Sequence, residues 1–572
     1  MKKALIFGIA ILILSALIAC GNTSTTTQSL TSTAPIVTAQ TLTSANTTTN
    51  ATYTTPTVVK PQGELVAAFT DLGNENFLPW AVNAGASQLC DIVYDVLIYF
   101  DVVNREYFPG LAEKWELSSD GLTLTYHLRK GVQFQDGWGE FTAEDVKFTF
   151  EKHASPQSVG KTTASRQIKS MEIPDPYTLV VHFKNPSPTF FMNFALSEGG
   201  MCQGIVSKKY VETVGEEEAA QKPIGTGPYK LIEGKLGDHY KFEAADSHWR
   251  VVPEFKYVIA RIIPEISTTV AMLKTGEVDL SPVSSEQMAD LKAAGLATEA
   301  SKAGGVNFQI TWGGLAIPED KRYNADYHNK DPWVDMRVRK AMTIAIDRQA
   351  ICDAIFKGGA FPTGVPLFTP DMEKYKYPFD QAAAKQLLVE AGYPDGFKFD
   401  VYSYVLTGVW ETPRVMEALA GYWQQIGLKP NIVSTDRPTF DGKHRKPLKM
   451  AGELSPMRLS SEGDFLDNGL VFFIPNAPAS IFMDEGSYAI WKEGSVKVDL
   501  SERAKYADKL QKYWFENYGP LPVVRIVYSY AWNSKKIAPF PHSMSDSPYY
   551  LEYVRHAQPL NTFRLFSPWP DR

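Results

Sequence analysis

The sequence predicts an α/β protein of more than one lobe, and three observations carry that reading. The chain has 572 residues, too many for one ordinary hydrophobic core. Hydrophobic residues make up 44% of it and aromatic residues 12%, enough for several cores. Strand-like and helix-like segments alternate along it, punctuated by Gly, Pro and Asp.

The first sixty residues stand apart from that pattern. Lys2 and Lys3 precede an apolar run from Ala4 to Ala19, closed by Leu17-Ile18-Ala19-Cys20. A basic start, an apolar stretch and a small-residue cleavage site make a secretory signal, expected over 1–19. The run is short of the roughly 20 apolar residues that a membrane span needs. Leu17 to Cys20 reads as a lipobox with Cys20 as the lipidated residue; an ordinary signal peptide with an incidental cysteine is the alternative. Residues 20–61 are dominated by Thr and Ser and carry no charge before Lys60. Such a stretch cannot offset its chain entropy, so a disordered tether is expected. About 40 residues of flexible coil reach roughly 35 Å. No apolar run of about 18 residues follows Cys20. The sequence therefore predicts a body tethered to a membrane, not one embedded in it.

The globular part opens at Gly63. Glu64–Phe69 reads as a buried strand, and Leu122–Leu128 alternates with period two between Gly121 and Gly131. Thr142 reads as an N-cap with Glu144 and Asp145 in the first turn, which sets Val146 and Phe150 on one face. Gly225, Gly227 and Pro228 read as a turn before the strand Tyr229–Ile232, where backbone freedom matters. The loop lacks the spacing and the Lys-Ser/Thr of a phosphate-binding loop. Between Asp335 and Gly358, the residues Val338, Ala341, Met342, Ala345 and Ile346 form a helical stripe, and Asp347 caps a second helix. Asp380 caps another, with Ala384, Leu387, Leu388 and Ala391 inward and Gly392 at its end. Leu448–Leu454 reads as a strand.

Charge and composition narrow the function. The net charge is -7, without long runs of one sign, which disfavours a nucleic-acid partner. No Cys-x-x-Cys pair occurs and the nine His are scattered, so neither a metal nor a cofactor is expected. Cys90, Cys202 and Cys352 remain beside Cys20; in an oxidising compartment two could pair and leave one free. No Gly-x-Ser-x-Gly or His-Glu-x-x-His motif is present, and no catalytic residue is assigned.

The order of motifs is more specific than any one of them. Gly110-Leu111-Ala112-Glu113-Lys114-Trp115 leads to Asp120-Gly121-Leu122-Thr123, Leu128-Arg129-Lys130-Gly131-Val132-Gln133-Phe134 and Phe141-Thr142-Ala143-Glu144-Asp145-Val146. Pro223-Ile224-Gly225-Thr226-Gly227-Pro228-Tyr229, Ala271–Asp279, Val338-Arg339-Lys340-Ala341-Met342 and Ile344–Arg348 follow, then Ala383–Leu388 with Ala391-Gly392-Tyr393. In this order they resemble the signature of family 5 solute-binding proteins, the dipeptide, oligopeptide and nickel class, from Gly63 to about Pro539.

The resemblance implies a two-lobed periplasmic-binding-protein fold (type II, cluster C-like) with an extra subdomain in the first lobe. Lobe I would comprise 62–305 with 525–572, its subdomain about 98–204, and lobe II 306–524. The chain would cross between them near Gly305–Ile310 and return near Pro522–Tyr528. It implies an extracytoplasmic, monomeric lipoprotein that captures a small solute, foremost a peptide, by hinge closure and delivers it to an ABC importer permease. A sensor that reports ligand to a receptor and a secreted hydrolase are the alternatives. The expected ligand-binding residues are Asp464, Phe465, Trp410, Trp312 and Tyr94, each Trp and the Tyr having a core reading beside the functional one. Asp464-Phe465 matches the family's acid–aromatic pair, and the acid would hold a ligand ammonium. The Trp that relatives carry before that pair is absent from Met457–Gly463, which keeps a sugar, an opine or another small solute open as ligand.

Overall fold

The computed structural model describes residues 60–82, 87–101, 106–156, 167–192, 202–313, 331–366, 374–406, 408–443, 452–460, 485–539 and 551–557, with Ser158, Leu315 and Leu466 between them. Cys20, the signal segment and the Thr/Ser-rich stretch lie outside these residues.

Nineteen strands are named among the described residues. The first is β1 (Glu64–Phe69), followed by β2 (Ile98–Asp101), β3 (Glu106–Pro109), β4 (Ala112–Leu117) and β5 (Thr123–Leu128). Next come β6 (Gln133–Phe134), β7 (Gly139–Glu140), β8 (Ile168–Asp175), β9 (Thr178–Phe183), β10 (Tyr229–Lys235), β11 (His239–Ala244), β12 (Tyr257–Ile262) and β13 (Leu280–Val283). The remaining six are β14 (Ala297–Trp312), β15 (Ala360–Pro362), β16 (Lys398–Ser403), β17 (Lys429–Ser434), β18 (Glu453–Ser460) and β19 (Leu521–Trp532).

Eleven strands join in one mixed sheet, ordered β10-β11-β12-β1-β13-β19-β14-β18-β16-β17 with β15 on β19. The two longest, β14 and β19, run antiparallel through its middle. Their pairing shifts between Ala300 and Gly305, so each has one part on either side of an irregularity. On one side of it β19 meets β13 through Ser529–Trp532; on the other β19 meets β15 and β14 meets β18. Two main apolar cores accompany the two halves. One runs from Leu65 through Phe150 and Phe242 to Val554; the other gathers Phe308, Trp312, Trp333, Met342, Trp423 and Val524. The protein is thus two-lobed and α/β.

A four-stranded antiparallel sheet, β4-β5-β9-β8, stands off the first half. Its β5 alternates buried and half-buried residues, as the period-two pattern predicts. The helix Ala143–Ala154 packs on it with Val146 and Phe150 buried, started by the capping box that Thr142 forms with Asp145. In the second half, Asp335, Asp347 and Asp380 each accept a backbone N–H at the start of a helix.

Three expectations need correction. Gly225 and Gly227 are required for close approach, not for a left-handed backbone. A Cβ at Gly225 would lie 2.1 Å from the Val93 carbonyl oxygen, and one at Gly227 would lie 2.4 Å from it. The strand expected to end at Leu454 runs on to Ser460, so Met457, Arg458 and Leu459 are inside β18 rather than in the loop after it. Cys90, Cys202 and Cys352 are buried free thiols, with no disulfide among them.

Candidate ligand site

The region where β14 and β19 pass between the two halves is the natural place for a ligand that both halves touch. Strand alternation sets its two faces. Val306, Phe308, Ile310 and Trp312 belong to the second core. Asn307, Gln309 and Thr311 point the opposite way and are also buried. Across the ladder from Asn307 stands Arg525 on β19, only 7% exposed. On β18, Arg458 lies opposite Phe308 and its guanidinium reaches the Tyr528 hydroxyl at 3.5 Å.

A second group of residues comes from the turn before the helix Thr412–Gln425. Gly408 adopts a left-handed backbone, φ 73°, which only glycine enters cheaply, and Leu406 bridges back to Val409. The Thr412 hydroxyl donates to the Val409 carbonyl at 2.6 Å and accepts the Leu406 N–H at 3.3 Å. Pro413 stands in the first turn of the helix, where its missing N–H costs nothing. Glu411 is pinned beside this turn, and burial raises its carboxyl above the usual range while Arg414 opposes that.

Arg414 reaches across to Glu286, at the start of the helix Ser285–Ala293, at 3.0 Å; Lys357 reaches the other oxygen of the same carboxylate at 2.9 Å. Hydrogen bonds from these two cations hold the Glu286 carboxyl below its ordinary value. Glu286 precedes β14 in the chain, whereas both cations follow it. Nearby, a Cβ at Gly359 would overlap the Ser285 hydroxyl, so these segments pack closely.

Of the expected site residues, Trp410, Trp312 and Tyr94 are described. Trp410 is half-buried in the turn beside Glu411. Trp312 is fully enclosed in the second core; its ring lies 6.2 Å from that of Trp333, and its indole N–H donates to the Gly519 carbonyl. Tyr94 is 3% exposed in the first core, with the backbones of Gly204 and Gly225 laid against it. Asp464 and Phe465 lie outside the described residues. Sequence reasoning did not single out Asn307, Gln309, Arg525 or Glu286. The signal for the first two was the alternation in Val306-Asn307-Phe308-Gln309-Ile310-Thr311, which by itself describes any half-exposed strand. Among the described residues no group of three or more His, Cys, Asp or Glu is placed to hold a metal ion, and no helix is long and apolar enough to cross a membrane.

Residues 106–463 match the family model described as bacterial extracellular solute-binding proteins, family 5 middle. Heme-binding protein A of Haemophilus influenzae is 28% identical over 410 residues, covering 67% of this chain and 70% of that protein. The dipeptide-binding protein of Escherichia coli is 27% identical over 406 residues, covering 65% of this chain and 72% of its own. Among solved structures, the ABC transporter-associated periplasmic binding protein DppA from Helicobacter pylori in complex with peptide STSA superposes with a TM-score of 0.71. It is 23% identical and covers 87% of this chain and 99% of its own.

Proposed function

Since the chain belongs to the bacterial extracellular solute-binding proteins of family 5, we propose that it captures a peptide outside the cytoplasm and hands it to an ABC importer. The observation that carries the capture reading is the strand pair β14 and β19: β19 meets β13 in the first half and β15 in the second, and β14 stays paired with it on both sides of the irregularity while meeting β18 in the second half. Two crossings of this kind suit a hinge, and a ligand that touches both halves biases the closed state. In this reading lobe I is 62–305 with 525–572, its subdomain about 98–204, and lobe II is 306–524. The peptide assignment draws on the relatives described as dipeptide-binding and as bound to peptide STSA. Cys20 carries the lipid anchor, and Cys20→Ser protein should take up no labelled palmitate.

Mass spectrometry of material released from the denatured protein tests the ligand class. Peptides are expected; heme, an opine or a sugar in their place would overturn the assignment. Asp464 is the proposed anchor of the ligand ammonium, which needs an opposite charge once it leaves water. Asp464→Asn should weaken peptide binding by about 30-fold or more, since removing one partner of a buried pair costs about 2–5 kcal/mol. Affinity within about threefold of wild type in calorimetric titration would remove Asp464 from that role.

A further inference from the structure

The polar face of β14 loses hydrogen bonds step by step as it nears the crossing. Furthest into the second half, the Thr311 and Ser455 hydroxyls bond each other at 2.7 Å. One step back, Gln309 has only the Met457 sulfur, 3.7 Å from its Nε2, and its Oε1 has no hydrogen-bond partner among the described residues. At Asn307, nearest the crossing, neither Oδ1 nor Nδ2 has a partner there. Both side chains are 0% exposed. On β19 the same strip continues through Arg525, opposite Asn307, to Ser529, whose buried Oγ is likewise without a partner. At Gly305 the two strands pack backbone to backbone: a Cβ there would lie 2.4 Å from the Ile526 carbonyl oxygen.

Native proteins rarely bury an amide with both ends unmet, because it forfeits the hydrogen bonds that water gave it. A chain that keeps such a group where its two halves join is trading stability for a contact made in another state. We infer that Asn307 and Gln309, beside Arg525, form a subsite for an amide group of the ligand, which rests on the peptide reading above. The chemistry matches in both directions. Asn307 offers a donor and an acceptor and Gln309 an acceptor, which suits a group that carries both N–H and C=O. A bare carboxylate would leave the two amide oxygens unmet.

The test is a paired one. Wild-type protein is offered a pool of synthetic tripeptides, and the best-retained member is remade with its central amide replaced by an ester. Asn307→Leu should melt no lower than wild type, since it removes an unmet polar group, yet bind the amide peptide about tenfold more weakly. The ester should cost wild type about tenfold and the variant almost nothing, because the lost contact is the same one. An Asn307→Leu protein that binds within about threefold of wild type, or that still discriminates against the ester, overturns the subsite. If Asn307→Leu does not fold, Gln309→Met goes through the same cycle with the same expectations. Wild-type protein that retains no tripeptide removes the peptide reading and this inference together. Retention by wild type with no change in either variant removes this inference alone.

Discussion

The guanidinium of Arg250 lies 2.8 Å from the carboxylate of Asp95, with both side chains sealed from solvent in the first half. Arg250 also reaches Glu552, at 3.1 Å, and the Tyr553 hydroxyl, at 2.6 Å, so it ties the 551–557 segment to the body. Asp95 is bonded in turn by Tyr99, Thr226 and Trp249. Burial alone would raise the Asp95 carboxyl; Arg250 and His248 outweigh it and hold it well below the usual range. The Arg250 guanidinium therefore serves two buried carboxylates. Arg250→Met is expected to cost about 3–5 kcal/mol, because it leaves two buried carboxylates without their shared guanidinium. Asp95→Asn should cost less, since Glu552 still balances Arg250. Chemical denaturation of the two variants checks the order, and an Arg250→Met protein as stable as wild type would contradict it.

The second half should be more stable in mild acid than in mild base. Burial pushes the Asp331 carboxyl up to about 6, and its Oδ2 has no partner among the described residues. Burial, with Asp400 adding to it, pushes Glu453 up to about 7. Both groups hold their proton more tightly folded than unfolded. The stability they contribute is therefore fully present below about pH 4 and is lost as pH rises from there through about 6 for Asp331 and about 7 for Glu453. For Asp331, 6% exposed, the loss is about 2–3 kcal/mol. Asp331→Asn should remove that part of the slope and melt higher than wild type at pH 8. Parallel melting curves against pH for the two proteins would refute this.

How far the sequence could be read depended on whether a signal was local. The Asp347 and Asp380 caps and the Thr142 N-cap each act within three residues and are legible in the sequence. The Gly225 and Gly227 pair was visible as punctuation, but its cause, the Val93 carbonyl, is about 130 residues away in the chain. Likewise, the polar residues of β14 look like a wet face until β18 and β19 close over their sides. Trp312 and Trp410 carry similar sequence cues, a Gly-containing neighbourhood near a strand end, and only tertiary packing separates the enclosed ring from the half-buried one.

Two glycines should respond in opposite directions to the same change. Gly225→Ala would drive a methyl to 2.1 Å from a backbone oxygen, which no rotamer relieves; a loss of about 1–3 kcal/mol is expected. Gly421 lies inside the helix Thr412–Gln425, and a Cβ there meets nothing within 4 Å. Gly421→Ala should therefore gain about 0.5–1 kcal/mol from helix propensity alone. Thermal melting of both proteins decides it. A stabilised Gly225→Ala would mean that the Val93 segment moves aside freely.

The Glu286 carboxylate links a helix before β14 to Lys357 and Arg414 after it. All three side chains are partly exposed, so each pair is worth no more than about 0.2–1 kcal/mol and is screened by salt. If the proposed lobes close on ligand, these pairs bias the closed form by that much and no more. Glu286→Gln should then weaken peptide binding about two- to fivefold at low salt while leaving the fold intact. High salt should weaken the wild type towards the variant and leave the variant nearly unchanged, because only the wild type has pairs to screen. Calorimetric titration of both proteins at low and high salt checks this, and a deficit that persists at high salt would contradict it.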